Sequence, residues 1–353
     1  MSTRIEDAVR HLRALHGILP ASVVRTGVSN SCLSIEVSDS GQPRWFSFNG
    51  SLAEIHPSSD ERVPLCSVVD QQALPLQVLS WRPGRRIAAR LDDVNGPRFL
   101  KGLRKRRWLR AASALDLVQG SLSASDGFIV PRIVRRIPDW AAFETSWLEM
   151  DVLTIGTGST ANFNRVGRAI RLFQHEIDTE SLELHDWRAE LACVDKALES
   201  ARSSLGVIPE GWQRLRDRLQ DCEPDSGEPV AVHRDLHDGQ LMVREGRVGL
   251  IDTDLLACGS SLLDVANLGA HLALRELQDP SVGRDHGVES CGRALLMGYS
   301  VGEGFERHFE LRAYQATTLL RLSLLYAQRP RWSRLCLPLL RIAERCLHDV
   351  QLV

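Results

Sequence analysis

The chain has 353 residues, of which 43% are hydrophobic and 25% are charged, as in ordinary globular proteins of about two domains. Its net charge of −2 gives no overall attraction to nucleic acid or to an anionic membrane, and no apolar run approaches the length of a membrane span. The eight cysteines lack CxxC pairs and zinc-like spacing, so we expect reduced core thiols and a cytoplasmic protein. The N-terminal residues lack the apolar region of a signal peptide.

Residues 1–74 are predicted to form an appendage that precedes the main fold. Residues 4–17 carry apolar side chains at helical spacing, and the runs 32–38 and 44–50 have the character of strands. Residues 51–74 are rich in proline and serine, which is typical of loops. The sequence does not indicate what this appendage does.

Residues 75–155 are predicted to form a mainly antiparallel sheet crossed by one helix. The pairs Pro83-Gly84 and Asn95-Gly96 have good turn chemistry and separate the first three strands. The helix is expected to begin at the basic run 104–107 and to end near Gly120. The expected strands are 76–82, 86–93, 97–103, 128–134 and 141–150.

Residues 156–353 are predicted to form a larger, mainly helical lobe. The segment DVLTIGTGST at 151–160 suits a hinge between the lobes because of its glycine and threonine residues. A short hairpin is expected within this lobe, with strands at 241–243 and 248–252. The expected helices are 162–176, 188–203, 262–277, 288–300, 306–328 and 333–350.

The most informative stretch is AVHRDLHDGQLMVREGRVGLIDTD, at 231–254. Gln240 follows Asp235 by five positions, and Asp252 ends the second strand of the hairpin, so we expect the two carboxylates to converge. One carboxylate can accept the proton of an attacking hydroxyl. The other, together with the amide oxygen of Gln240, can hold a divalent metal such as Mg²⁺. Phosphoryl transfer requires both a residue that positions the attacking hydroxyl and a metal ion that neutralises the developing charge.

These residues, taken with other segments in the same order, resemble the aminoglycoside phosphotransferase family within the wider protein-kinase-like fold. The resemblance covers about residues 75–350 and rests on SWRPGRRIAARL (80–91), FLKGL (99–103), HRDLHDGQ (233–240), LIDTD (250–254) and LLDVANLGAHL (262–272). It implies an α+β, bilobal fold with a small antiparallel β lobe and a larger helical lobe. It also implies binding of ATP with Mg²⁺ and phosphorylation of a hydroxyl on a small molecule.

The resemblance assigns roles residue by residue. It implies Asp235 as the catalytic base, Gln240 and Asp252 as metal ligands, and Lys101 as a contact for the nucleotide phosphates. Arg85 is a further candidate, with Arg86 as its alternative, because the turn at 83–86 takes the place of a phosphate-covering loop. Two residues have alternative interpretations without a functional role. In these, Lys101 is an edge lysine that reaches solvent, and Gln240 satisfies buried backbone groups.

The sequence departs from the family pattern at several points. Gln240 replaces the usual asparagine, Thr253 replaces an aromatic residue, and there is no G-x-G-x-x-G. The helix after Lys101 has no glutamate to orient the lysine. Asp116 is the only acid within 104–125, and it is a shorter candidate for that role.

Several neighbouring residues have expected secondary roles. His233 and Asp264 are expected to be structural, with Asp264 accepting from backbone amides of the loop that carries the base. The adenine is expected to bind backbone groups near 149–152. A cationic acceptor could use an acidic pocket, for which the candidates are Asp254, Glu276, Asp279 and Glu310.

The leading hypothesis is therefore an ATP- and Mg²⁺-dependent small-molecule kinase. The alternative is a weak or inactive pseudokinase that senses nucleotide or serves as a scaffold, and a protein kinase ranks last because no activation segment is evident at 255–285. The basic run 104–107 fits a nucleic-acid contact, but the near-zero net charge favours a solvated helix start. We expect neither nucleic acid nor membrane as a partner. The acceptor and the oligomeric state stay open.

Overall fold

A computed structural model describes residues 4–29, 32–38, 43–69, 76–122, 128–206, 208–224, 227–283, 287–300 and 305–348. Its helices are α1 (Arg4–His16), α2 (Cys66–Val69), α3 (Trp108–Leu122), α4 (Thr160–Glu176), α5 (Trp187–Leu205), α6 (Glu210–Gln220), α7 (Leu263–Gln278), α8 (Gly287–Tyr299), α9 (Phe305–Ala327) and α10 (Cys336–His348). Its strands are β1 (Val23–Ser29), β2 (Cys32–Ser38), β3 (Pro43–Phe48), β4 (Leu52–Ile55), β5 (Leu76–Arg82), β6 (Arg86–Asp93), β7 (Gly96–Leu103), β8 (Phe128–Ile129), β9 (Ile133–Ile137), β10 (Ala142–Ser146), β11 (Asp151–Val152), β12 (Leu184–His185), β13 (Val230–Val232), β14 (Leu241–Arg244), β15 (Arg247–Leu250) and β16 (Ala257–Gly259). The fold is α+β, as the sequence predicted.

The first four strands form their own antiparallel sheet, in the order β1-β2-β3-β4. Alternate residues of β2 are buried, and they pack with the apolar face of α1 in a separate hydrophobic core. The prediction of loop over 51–74 is wrong where β4 and α2 lie, and its residues 70–74 fall outside the described chain. The four residues of β4 are too few for strand periodicity to be recognised.

The second sheet has the order β5-β6-β7-β10-β9, and α3 packs on it. The predicted start of the helix at 104 is wrong, because 104–107 form a turn and α3 begins at Trp108. The predicted strand 128–134 is two strands, β8 and β9, interrupted at Pro131, which has no N–H to donate to a ladder. The predicted strand 141–150 ends early, at Ser146.

Lys101 lies on the central strand of this sheet. Its neighbours across the ladder are Ala88 of β6 and Phe143 of β10. It is buried, although lysine is seldom buried without a partner. Its charged end therefore requires a compensating group from outside the sheet.

The remainder of the described chain is mainly helical and contains the largest hydrophobic core. Two small sheets, β11-β14-β15-β8 and β12-β16-β13, lie among its helices. The predicted helix 333–350 begins later, at Cys336, because Pro330 opens a 3₁₀ helix over Pro330–Leu335. The helix α6 and the strands β12, β13 and β16 were not predicted. Within the described ranges, no helix is long and apolar enough to cross a membrane.

Helices α4 and α8 approach each other closely through glycine. A Cβ atom on Gly167 would lie 2.2 Å from the carbonyl oxygen of Leu295, and one on Gly298 would lie 2.0 Å from that of Asn164. Only glycine permits these two helices to approach so closely. The lobe boundaries at 74/75 and 155/156 stay predictions.

Candidate active site

One buried carboxylate holds the loop 233–240, which joins β13 to β14. Asp264, near the start of α7, accepts hydrogen bonds from the backbone N–H groups of His233 at 2.7 Å and Arg234 at 2.8 Å. Arg234 has a φ of 72°, in the left-handed region, so the loop turns sharply there. Both donors are satisfied despite the turn. The predicted role of Asp264 is confirmed.

His233 joins this loop to the strand that leads to Asp252. Its Nε2 donates to the carbonyl of Ile251 at 3.0 Å, and the N–H of Ile251 donates to the carbonyl of Gln240 at 3.1 Å. The second of these bonds, between Ile251 and Gln240, extends the pairing of β14 with β15 by one step beyond Leu241 and Leu250. The loop 233–240, called the base loop after the predicted base Asp235, and the residue before Asp252 are therefore held together.

Asp252 is the centre of a charged cluster that bridges the second sheet and the helical lobe. The Lys101 Nζ donates to Oδ1 of Asp252 and to Oδ1 of Asp254, both at 2.7 Å. Arg86 donates through Nη1 to Oδ2 of Asp252 at 3.0 Å. These pairs supply the compensation that buried Lys101 requires. They also account for the absence of a glutamate on α3, because Asp252 and Asp254, on the far side of the cleft, bind Lys101.

The charge of Asp252 is set by opposing effects. Burial favours the neutral acid, but Lys101 and Arg86 outweigh it through their charges and hydrogen bonds, and they hold the pKa of Asp252 well below its usual range. The carboxylate is therefore ionised at neutral pH and available to a cation. Its backbone has a φ of 66°, a left-handed conformation that aspartate tolerates better than most residues.

The residues around Gln240 fit a divalent cation. The Gln240 side chain is buried, and its Oε1 has no hydrogen-bond partner among the described residues. Asp238 also has one buried oxygen, Oδ1, without such a partner, while its Oδ2 accepts from Arg275 at 2.9 Å. Buried oxygens are seldom left unpaired, and Mg²⁺ prefers oxygen ligands. Gln240 and Asp252 would hold the ion.

A cavity of about 330 Å³ opens beside the charged cluster. Its apolar wall includes Leu79, Ala88, Phe99, Phe143 and Met242, and its polar end includes Arg86, Lys101, Asp252 and Asp254. Such a cavity suits a molecule with one flat apolar end and one anionic end. The segment that lines it is 146–148, just before the predicted adenine contact at 149–152. The Glu149 carbonyl instead accepts from Arg244 at 2.6 Å.

Asp235 lies on the same loop and is exposed to solvent. Loss of hydration and repulsion from Arg86 and Arg25 lower the pKa of Arg82 to about 10, and the charges of Asp252 and Asp235 oppose this lowering. The same two carboxylates help to raise the pKa of Arg86. The two carboxylates therefore act on the same region of the cleft. The convergence of Asp235 and Asp252 stays a prediction.

Other candidates from the sequence lie elsewhere. Arg85 is exposed and lines a different cavity, so Arg86 is the arginine bound to Asp252, and nucleotide contact by Arg85 stays a prediction. Asp116 pairs with Arg136 and not with Lys101. Glu310 is buried and bonded to Ser260 and Arg307, so it is not free to bind a cationic acceptor.

The sequence analysis did not predict a buried ionic network that lies next to the base loop. Glu190 of α5 accepts from Nε2 of His185 at 2.8 Å, and Arg321 of α9 lies 3.5 Å from its other oxygen. Burial raises the pKa of Glu190, but Arg321 and His185 outweigh burial and lower it to about 2, with a further contribution from Arg234 of the base loop. An acid within an otherwise apolar stretch of α5 was the available signal.

The comparisons with known proteins decide the family. The model of the phosphotransferase enzyme family matches residues 52–296. The chain belongs to the phosphotransferase enzyme family. It is therefore a phosphotransferase. A search of curated proteins gave no significant match.

Solved structures show the same fold as this family member at low sequence identity. An amicoumacin kinase, in complex with AMP-PNP, Ca²⁺ and its ligand, matches with a TM-score of 0.61 and 14% identity over 82% of this chain and 96% of that one. A choline/ethanolamine kinase family protein from Mesorhizobium loti matches with a TM-score of 0.52 and 15% identity, over 84% and 98% of the two chains. A putative aminoglycoside phosphotransferase from Ralstonia eutropha has a TM-score of 0.56 and 15% identity, over 80% and 95%. These likenesses confirm the protein-kinase-like fold.

Proposed function

We propose that this phosphotransferase moves the γ-phosphate of ATP to a hydroxyl of a small molecule, with Mg²⁺ bound by Gln240 and Asp252. The observation that carries the proposal is the cluster of Lys101, Asp252 and Asp254 at the polar end of the 330 Å³ cavity. Kinases of this general fold require a lysine at the phosphates and a metal-binding aspartate on the opposite lobe. The AMP-PNP complex of the amicoumacin kinase adds support for nucleotide binding.

Each residue has a separate task in the proposed reaction. Asp235, being exposed at the cleft, accepts the proton of the acceptor hydroxyl through a carboxylate oxygen as that hydroxyl attacks. Lys101 and Arg86 shift their hydrogen bonds from Asp252 toward the phosphate oxygens, which carry the greater negative charge. Bound Mg²⁺ supplies neutralisation of the charge that develops on the transferred group.

The location proposed for this activity is the cytoplasm. No disulfide joins the cysteines of the described chain, which suits a reducing compartment, and ATP is available there.

Two variants of the base and metal residues test the proposal. Asp235→Asn keeps the size of the side chain but not the basicity, so kcat should fall about 10³-fold or more while the Kd for Mg²⁺-ATP changes little. Asp252→Ala should lose the magnesium-dependent part of nucleotide binding. Binding is measured by calorimetry and turnover by ADP release with a panel of hydroxyl compounds.

Three results would count against this proposal. Wild-type turnover retained in Asp235→Asn would remove Asp235 as the base. Failure of the wild type to bind Mg²⁺-ATP would exclude an ATP-dependent kinase. Nucleotide binding without turnover of any acceptor would favour the pseudokinase alternative.

A further inference from the structure

A second cavity, of about 210 Å³, lies where the first sheet meets the rest of the molecule. One wall comes from β1, β2 and β3, and another from the turn after β5. The third comes from the end of α9 and the residues that follow it. The hydroxyl of Thr26 closes this junction by donating to the carbonyl of Gln328.

Four arginines line this arginine cavity. They come from three separate parts of the chain: Arg25 from β1, Arg82 and Arg85 from the end of β5 and the turn that follows it, and Arg329 from the residues that follow α9. Among the described lining residues the one carboxylate is Glu36, which lies 3.4 Å from Arg25. The cavity therefore gathers a surplus of positive charge.

The arginines are close enough to disfavour one another's charge. Loss of hydration, and then repulsion from Arg86 and Arg25, lowers the pKa of Arg82 to about 10. Loss of hydration and repulsion from Arg25 also lower the pKa of Arg329. Both stay protonated at neutral pH, so the repulsion that each experiences from Arg25 persists until an anion offsets it.

Two N–H donors at this cavity have no hydrogen-bond acceptor among the described residues. The indole Nε1 of Trp45 and the Nε of Arg329 are buried without a hydrogen-bond partner in the described part of the chain. Both residues line the cavity, so a molecule bound there can supply the missing acceptor. Unsatisfied buried donors are costly, and both of these require an acceptor atom.

Arg82 places the arginine cavity next to the reaction centre. Its guanidinium lies near enough to Asp235 and Asp252 for both charges to oppose the lowering of its pKa. A small molecule bound at Arg25 and Arg329 could thus extend past Arg82 toward Asp235. The 330 Å³ cavity, lined by Arg86 and Lys101, lies on the other side of the same turn.

We propose that the arginine cavity binds an anionic group, a carboxylate or a phosphate, on the acceptor whose hydroxyl is phosphorylated. This rests on the proposed function for the identity of the ligand as an acceptor. Surplus guanidinium charge and unpaired N–H donors both match the oxygens of such a group. They argue against the acidic pocket for a cationic acceptor that the sequence suggested. The acceptor is therefore a hydroxy acid or a hydroxyalkyl phosphate.

Direct binding of inorganic phosphate tests the site without any turnover. Calorimetry in the absence of nucleotide should show binding that weakens about tenfold or more in Arg25→Gln and in Arg329→Gln, since each removes a charged donor. The matched control is Arg334→Gln, which removes an exposed arginine of the 3₁₀ helix at 330–335. The titration repeated with Mg²⁺-ATP present, which would occupy the nucleotide cavity, should give the same phosphate affinity, and this separates the arginine cavity from phosphate bound in the nucleotide cavity. Thermal melts check that each variant is folded.

Acceptor selection tests the link to the reaction. Glycerol, D-glycerate and glycerol 3-phosphate offer similar hydroxyls with no charge, a carboxylate or a phosphate, and choline offers a cation. ADP release should be stimulated by the glycerate or the glycerol 3-phosphate, and Arg329→Gln should raise the KM about tenfold with a smaller change in kcat.

The two proposals fail separately. Equal phosphate affinity in wild type, Arg25→Gln and Arg329→Gln would overturn the anion site, as would faster turnover of choline or glycerol than of the anions. Phosphate binding that depends on these arginines, together with no binding of Mg²⁺-ATP, would leave the anion site standing and sink the kinase function.

Discussion

The Nζ atom of Lys101 lies 2.7 Å from Oδ1 of Asp252, although 151 residues of chain separate them. The lysine belongs to the centre of the second sheet, and the aspartate follows β15 in the helical lobe. This bond therefore connects the two walls of the cleft. Because Asp254 shares the same ammonium, one buried cation compensates two carboxylates.

Loss of this cation should destabilise the protein and weaken nucleotide binding. Lys101→Met leaves Asp252 with Arg86 alone and Asp254 without its lysine, and we expect unfolding to become easier by about 2–4 kcal/mol. The Kd for Mg²⁺-ATP should rise at least about tenfold. Urea titration and calorimetry measure the two effects. Lys105→Met is the control, because Lys105 is exposed, and an equal loss in both variants would contradict the assigned role.

Magnesium should be required for nucleotide to stabilise the fold. At about 100 times its Kd, Mg²⁺-ATP should add roughly 2.7 kcal/mol to the free energy of unfolding, and EDTA should remove most of this. Gln240→Leu deletes the buried amide oxygen, so more Mg²⁺ should be needed for the same shift. Gln220→Leu, at an exposed position, should behave as wild type. An unchanged magnesium requirement in Gln240→Leu would remove Gln240 from the metal site.

The backbone of the base loop depends on Asp264. The two oxygens of Asp264 now accept from two backbone N–H groups. Asp264→Asn keeps only one acceptor oxygen, and its NH₂ group would face the other N–H donor. We expect a loss of about 2–4 kcal/mol in stability and at least about a tenfold loss in kcat. Asp186→Asn is the control, because Asp186 caps α5 through a bond to the N–H of Ala189, and asparagine caps equally well. Similar stability losses in the two variants would contradict this.

The pH dependence of stability should report the buried Glu190. Its pKa is about 2 in the folded protein and 4.5 in an unperturbed chain, so its contribution is complete above about pH 4.5. That contribution, about 3 kcal/mol, is lost as the pH falls from 4.5 toward 2. Glu190→Gln should therefore be less stable at neutral pH and should have a shallower acid limb in urea titrations from pH 3 to 7. Glu289→Gln, in an exposed pair with Arg293, should retain the wild-type slope.

Two glycines of one helix should respond oppositely to alanine. Gly298→Ala forces a Cβ into the backbone of α4 and should cost about 1–3 kcal/mol or more. Gly292→Ala, also on α8, meets only Leu272 Cδ1 at 3.8 Å, so the helix propensity of alanine should leave it neutral or stabilised by up to about 1 kcal/mol. Thermal unfolding distinguishes them, and destabilisation of both would show that α8 tolerates no added methyl group.

The hairpin that carries part of the predicted site was predictable from the sequence. Asp235, Gln240 and Asp252 lie within 18 residues, and a short hairpin leaves few ways to arrange them. The order of polar clusters and apolar strands therefore indicates both the hairpin and the converging carboxylates. The role of Asp264 was also accessible, because an acid at a helix start beside this loop has backbone donors within reach.

The long-range part was not predictable from one sequence. The partners of Lys101 come from the far lobe, and the choice of Arg86 over its neighbour Arg85 depends on strand register at a turn. The arginine cavity joins Arg25 to Arg329, and no spacing rule relates side chains so far apart. Pro131 and Pro330 shifted element boundaries that apolar periodicity alone placed wrongly.

The hydrogen bond from Thr26 to Gln328 joins residues that are 302 positions apart. A ribosome adds about 5–20 residues per second, so β1 is made roughly 15–60 s before the carbonyl that it meets. The first sheet and α1 share a local hydrophobic core and can collapse during this interval. The arginine cavity cannot, since one of its walls is still untranslated. A nascent chain therefore carries an ordered beginning and an incomplete cavity until synthesis is almost finished.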